Sequence, residues 1–211
     1  MTEQKYNKSL VVIIAAIAST GGLLFGFDTG VISGALPFLE RSWNLTTDQQ
    51  EWIVTALLLG AVAGAMSSGR LTDIFGRKKI IIITSLIFAV GSILAGASPT
   101  LGLLAISRII LGIAIGISSF TVPMYIAEIS PTKIRGAMVS SFQLMITIGI
   151  LVSYFSDQAF ANEANPFSWR WMFYVGVFQM GPYIKPNDLV MGEFTPVIVH
   201  INGDQVISGP G

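Results

Sequence analysis

The chain has 211 residues, 52% hydrophobic and only 11% charged, where soluble domains carry about a quarter charged residues. The deficit runs along most of the chain, which points to several membrane spans rather than a soluble domain with one anchor. Net charge is zero and there is no cysteine, so no basic or acidic excess marks nucleic acid as a partner, disulfides and thiolate metal sites are excluded, and the single His200 cannot build a metal site by itself.

A helix needs about 20 apolar residues to cross the hydrocarbon core. Lys5 and Lys8 precede the first apolar run, Leu10–Phe38. That run is too long for a signal-peptide core and has no small-x-small cleavage site. Within it, Gly22, Gly26, Gly30 and Gly34 form a smooth stripe at i+4 spacing, suited to close helix packing. Asp28 lies deep in the same run. An isolated carboxylate in a bilayer is neutral or paired, and an intramembrane ionisable group is functional by default.

The second span is predicted over Trp52–Ser68, with Gly60 and Gly64 repeating the stripe. It is followed by Gly69-Arg70-Leu-Thr-Asp73-Ile-Phe-Gly76-Arg77-Lys78. The glycines predict a tight turn. Asp73 and the basic pair Arg77 and Lys78 can form and break ion pairs with helix ends. Simple topology determinants would explain the lysines but not the spacing. The third span is predicted over Ile80–Ala97.

The fourth span, Leu101–Ile126, contains Arg108, Gly112 and Gly116. It closes on a Pro-x-Tyr-x-x-Glu-x-x-Pro-x-x-x-Arg-Gly series from Pro123 to Gly136. Glu128 and Arg135 would share a helix face, but Pro131 is expected to end the helix before Arg135. Interfacial snorkelling accounts for Arg135 and poorly for the short-stemmed Glu128.

The fifth span is predicted over Ala137–Phe155 and holds the amide of Gln143, with Ile150 two turns later on the same face. A sixth apolar run begins near Trp169 and meets Gly181-Pro182, too short to cross. Residues 179–211 change character. They are polar and turn-rich, with β-branched runs flanking Asn202-Gly203-Asp204 that suggest a short hairpin. The expected division is therefore a transmembrane bundle over 1–178 and an unrelated tail over 179–211.

Lys5, Lys8, Arg70, Arg77, Lys78, Lys79, Lys133 and Arg135 all fall on one set of alternate segments. The positive-inside rule places that set, with the N-terminus, in the cytoplasm. The acids Glu40, Asp48, Glu51, Asp157 and Glu163 are then expected in outward-facing loops. At roughly 1.5 Å per residue, Asp28 in an outward-running helix and Arg108 in an inward-running one both fall in the outer half. They can pair, either as a static packing contact or as a proton switch in which Asp28 takes up a proton and releases Arg108.

No phosphate-cradling glycine loop is present outside the membrane runs, and no Ser/His/Asp arrangement is possible. Enzyme and cofactor readings have no residues to support them.

The Gly69–Lys78 series, the Arg108–Gly136 series and the Phe25-Gly26-Phe27-Asp28 motif resemble the sugar porter family of the major facilitator superfamily. The resemblance covers about Ser9–Phe178. Ile74 departs from it, standing where the family often has a basic residue. It implies an all-α membrane protein, the N-terminal half of a bundle of two six-helix halves with the sugar site between them. It also implies secondary transport of a monosaccharide by alternating access in the plasma (inner) membrane. Bacterial sugar:proton symporters are the nearest pattern, with Asp28 and Arg108 as the proton-coupling pair. Phe25, Gln143 and Ile150 would face the sugar. Gly69, Asp73, Gly76, Arg77, Lys78, Glu128 and Arg135 would gate the conformational change, with Glu128 and Arg135 in the intracellular charge network that holds the outward-open state.

The expected partners are a monosaccharide, a proton, the lipid bilayer and a second transporter half or another carrier chain. A truncated, frameshifted or fused reading frame, inactive alone, is the expected account of the missing second half. A facilitative uniporter and a non-transporting membrane fragment stay open as alternatives.

Overall fold

The computed structural model describes residues 8–162, 165 and 167–178. They form six helices: α1 Lys8–Trp43, α2 Thr47–Phe75, α3 Arg77–Ala97, α4 Leu101–Ile129, α5 Arg135–Phe160 and α6 Trp169–Phe178. Helices satisfy every backbone group internally, which lipid demands. Among the described residues there is no strand. The stretch read as a hairpin near Asn202-Gly203 lies outside the described residues.

Five helices, α1 to α5, are long and apolar enough to cross a membrane. The ten described residues of α6 rise only about 15 Å, half of a hydrocarbon core of roughly 30 Å.

The helices outrun the apolar segments that announce them. α1 continues to Trp43 through Pro37. Proline there removes one backbone donor, so the Ser33 carbonyl loses its usual partner four residues on. α2 begins at Thr47 behind a capping box. The Thr46 amide donates to Gln49 Oε1 at 3.0 Å and the Gln49 amide to Thr46 Oγ1 at 3.4 Å.

The loop assignments of several acids are corrected by these ends. Glu40 belongs to α1, Asp48 and Glu51 to α2, and Asp157 to α5. Asp157 is moreover buried. The expected tight turn over Gly69–Lys78 is also smaller than its glycines suggest. Gly69 through Phe75 continue α2, and the chain reverses at Gly76 alone, whose φ of 83° suits glycine.

Two backbone-close seams organise the bundle. One joins α1 to α5 and the other α2 to α4, and these are the most extensive contacts in the molecule. A Cβ on Gly26 would collide with the Ile146 carbonyl, one on Gly60 with the Ile109 carbonyl, and one on Gly112 with the Leu57 carbonyl. With no aqueous hydrophobic force between helices in lipid, such close approach is what gives packing its strength. α3 packs on α4, α6 on α3 and α1, and α1 barely meets α2. The same helix pairs meet, though not equally closely, when helices α1–α3 are exchanged with α4–α6, as in an internal repeat.

At one end of the bundle Trp169 stands edge-on to Trp43, ring centroids 5.4 Å apart, and to Phe173 at 6.1 Å. Beside them Arg170 donates to the carbonyls of Gly96 at 3.4 Å and Ser98 at 2.9 Å. A cation there serves the free carbonyls at the C-terminus of α3. This tie anchors the described part of α6 to the end of α3. The Arg77–Glu128 contact described below marks the opposite end.

Candidate functional site

Asp28 and Arg108 are brought together by the first helices of the two three-helix units, α1 and α4. Arg108 Nη1 donates to Asp28 Oδ1 at 2.7 Å, with side chains 1% and 2% exposed for Arg108 and Asp28. The spacing in the sequence allowed this pair, and the bundle forms it. It is single-pronged. Asp28 Oδ2 and Arg108 Nε are buried without a hydrogen-bond partner. An arginine–carboxylate pair is strongest when two parallel bonds form. One bond holds the charges together here while leaving a donor and an acceptor unsatisfied.

The second cluster lies at the far end. Arg77, first residue of α3, reaches back to Asp73 on α2, Nη2 to Oδ1 3.5 Å, and across to Glu128 on α4, Nε to Oε1 3.3 Å. Its Nη1 also donates to the Thr72 carbonyl at 3.4 Å, at the end of α2. Arg77 is 33% and Glu128 48% exposed, so solvent screens the pair and its contribution to stability is below about 1 kcal/mol. Its geometry matters more than its energy: one guanidinium ties the ends of three helices. Gly76 supplies the reversal that aims it. Gly69 has open space around it, so packing does not require glycine there. Lys78 is the second residue of α3.

α4 ends at Ile129, before Pro131, and Arg135 opens α5. Glu128 and Arg135 therefore belong to different helices. Arg135 Nε donates to the Ser130 carbonyl at 3.3 Å, at the end of α4.

Phe25, Gln143 and Ile150 lie on the α1–α5 pair. Phe25 is half-buried against the core, Gln143 is exposed, and Ile150 is half-buried. Gly22 meets Phe142 and Gly26 meets Ile146, so Phe25 and Gln143 stand at neighbouring levels of one seam. No hydrogen bond or ring contact joins the three among the described residues. Gln143 and Ile150 share a helix face by periodicity.

Three contacts were not anticipated from the sequence. Ser19 of α1 and Ser141 of α5 share a hydrogen bond. Arg170 caps α3. Asp157 is buried on α1. The Trp-Arg-Trp run around Arg170 is a visible signal, since a cation between interfacial aromatics needs a partner. Asp157 gave none, because a carboxylate near the end of an apolar run reads as a loop.

Residues 14–182 match the model of the family described as "Sugar (and other) transporter". The chain belongs to this family. It is 46% identical over 166 residues to the galactose-proton symporter of Escherichia coli K12, covering 79% of this chain and 35% of that protein. It is 47% identical over 169 residues to the D-xylose transporter of Levilactobacillus brevis, covering 80% of this chain and 36% of that protein. The solved structure of the proton:xylose symporter XylE bound to 6-bromo-6-deoxy-D-glucose superposes with a TM-score of 0.77 at 30% identity, over 84% of this chain and 44% of that one. The chain thus spans about a third of the length of the curated relatives it matches. Its bundle corresponds to the N-terminal half of a sugar porter of the major facilitator superfamily, a family of transporters.

Proposed function

We propose that this chain supplies the N-terminal half of a sugar:proton symporter, with Asp28 and Arg108 as the coupling pair. The carrying observation is the buried, single-pronged 2.7 Å ion pair in a chain of the sugar transporter family. Proton uptake by Asp28 gives a neutral carboxyl, which cannot hold the guanidinium by charge. Arg108 is then a buried cation seeking another partner. Removing one member of a buried pair costs about 3–5 kcal/mol. At about 1.4 kcal/mol per decade, that shifts a two-state population by roughly two to three and a half decades, enough to turn one proton into a change of access. The missing second bond and the unsatisfied Asp28 Oδ2 and Arg108 Nε favour a pair that can be opened.

The gating residues are Gly69, Asp73, Gly76, Arg77, Lys78, Glu128 and Arg135. The Asp73–Arg77–Glu128 contacts support a latch on the cytoplasmic side, closed when the outer side is open. The basic residues at that end support its cytoplasmic placement in the inner membrane, with the N-terminus inside. Gln143, exposed on α5, is the amide that would bond sugar hydroxyls, with Phe25 and Ile150 offering apolar contact to the ring. These side chains cover one side of a monosaccharide. A second six-helix half is the expected partner for the other side, and the 211 residues alone are expected not to transport. Residues 179–211 are assigned to a segment separate from the 1–178 bundle.

The deciding experiment places Asp28→Asn in a carrier completed with a second half. Uphill accumulation of sugar should vanish while sugar exchange across the membrane persists. Wild-type accumulation in that variant would remove Asp28 from the coupling role.

A further inference from the structure

Along the α1–α5 seam the glycines of α1 step by one helical turn. Gly22, Gly26, Gly30 and Gly34 of α1 face Phe142, Ile146, Ser153 and Asp157 of α5 in that order. The last contact is a carboxyl group laid on the α1 backbone, since a Cβ on Gly34 would collide with it. Asp157 is 7% exposed, and neither of its oxygens has a hydrogen-bond partner.

The charged groups on the elements packed against α5 do not answer it. On α4, Arg108 is held by Asp28 and Glu128 lies at the Arg77 end. On α6, Arg170 is directed to the Gly96 and Ser98 carbonyls. On α1, Glu40 and Arg41 are exposed and Lys8 is at the opposite end. On α5 itself, Arg135 is at the far terminus, bonded to Ser130. No ion pair reaches Asp157 among the described residues. A carboxylate withdrawn from water with neither donor nor cation is the costliest form of the group, and a bound proton removes that charge.

Asp28 lies six residues before Gly34 on α1. Asp157 therefore sits about 9 Å beyond it, towards the end that carries Trp43 and Trp169. We propose that Asp157 is a second proton-binding carboxylate, on the route between that end of the bundle and Asp28. Its use as a relay rests on the symport reading. Its occupancy by a proton is a property of this bundle and is testable without transport.

The test is infrared difference spectroscopy of the 211-residue chain in lipid vesicles during a pH titration. Wild type should show a carboxyl C=O stretch at the high-frequency position of an unhydrated acid. Asp28→Asn should keep that band and Asp157→Asn should lose it. If Asp157→Asn fails to insert, Asp157→Glu takes its place and should shift the band. A wild-type spectrum without the band, or a band indifferent to both substitutions at Asp157, overturns the proposal. In a completed carrier, Asp157→Asn should slow proton-driven uptake several-fold and spare sugar exchange. Unchanged driven uptake would overturn the relay role. If the completed wild-type carrier shows no proton-driven uptake at all, the symport reading fails while the infrared assignment stands on its own.

Discussion

Arg108 donates a single hydrogen bond to Asp28, 2.7 Å across the α1–α4 contact, and both side chains are almost wholly out of solvent. Eighty residues of chain separate the two. Removing either partner leaves the other as an unpaired buried charge or acceptor, and the two losses are unequal. Arg108→Ala strands a carboxylate that can still neutralise by taking up a proton. Asp28→Ala strands a guanidinium that stays charged under all ordinary conditions. Asp28→Ala should therefore destabilise the purified chain more, towards the upper part of the roughly 3–5 kcal/mol range for broken buried pairs. A Tm loss larger for Arg108→Ala than for Asp28→Ala would contradict this ordering. An apolar pair, Asp28→Leu with Arg108→Met, should recover much of the loss.

The glycines divide into those that packing needs and those it does not. Gly26→Ala and Gly112→Ala both drive a methyl group into a facing backbone carbonyl. Each should cost about 1–3 kcal/mol by overpacking. Gly69→Ala meets open space inside α2 and should gain about 0.5–1 kcal/mol from helix propensity. Thermal unfolding of the three variants in detergent provides the comparison. A Gly69→Ala variant as unstable as Gly26→Ala would refute the two-seam description.

At the opposite end the reversal depends on Gly76, at φ 83° with empty space about it. Gly76→Ala should cost about 1–3 kcal/mol through backbone conformation alone, since positive φ with extended ψ is essentially glycine-only, and displace Arg77 from Glu128. Charge exchange, Arg77→Glu with Glu128→Arg, should restore part of the transport lost in either single variant of a completed carrier. No rescue in the exchanged pair would argue that the contact is incidental.

The proposed orientation rests on the clustering of lysine and arginine at one end. Thr132→Cys and Asn162→Cys, placed singly in this cysteine-free chain, can be challenged with an impermeant thiol reagent on intact cells. Labelling is expected at residue 162 alone. Modification of Thr132→Cys from outside would reverse the topology.

Purified 211-residue chain in liposomes should show no saturable hexose or pentose uptake under an imposed proton gradient. On the proposed reading, Phe25, Gln143 and Ile150 cover one side of a sugar, and the hydrogen bonds of its other side, worth roughly 0.5–1.5 kcal/mol each, come from a second half. Gradient-driven, saturable uptake that Gln143→Ala abolishes would point instead to a functional homo-oligomer.

Apolar run length announced the five spans, the glycine, proline and charge motifs carried the resemblance to the family whose model matches, and the positions of Asp28 and Arg108 allowed the pair that the bundle forms. Those features obey local rules: a bilayer needs about 20 apolar residues, and i+4 glycines mark a smooth helix face. Helix ends were less legible, because capping by Thr46 and Gln49 and the continuation through Gly69 add polar residues to a helix without disturbing it. Partnership was decided by tertiary structure alone. Asp157 reads as a loop acid until α5 is laid against Gly34, and Arg170 reads as a loop cation until α3 ends beside it. Their environments are made by helices far away in sequence, whose lateral arrangement no local periodicity encodes.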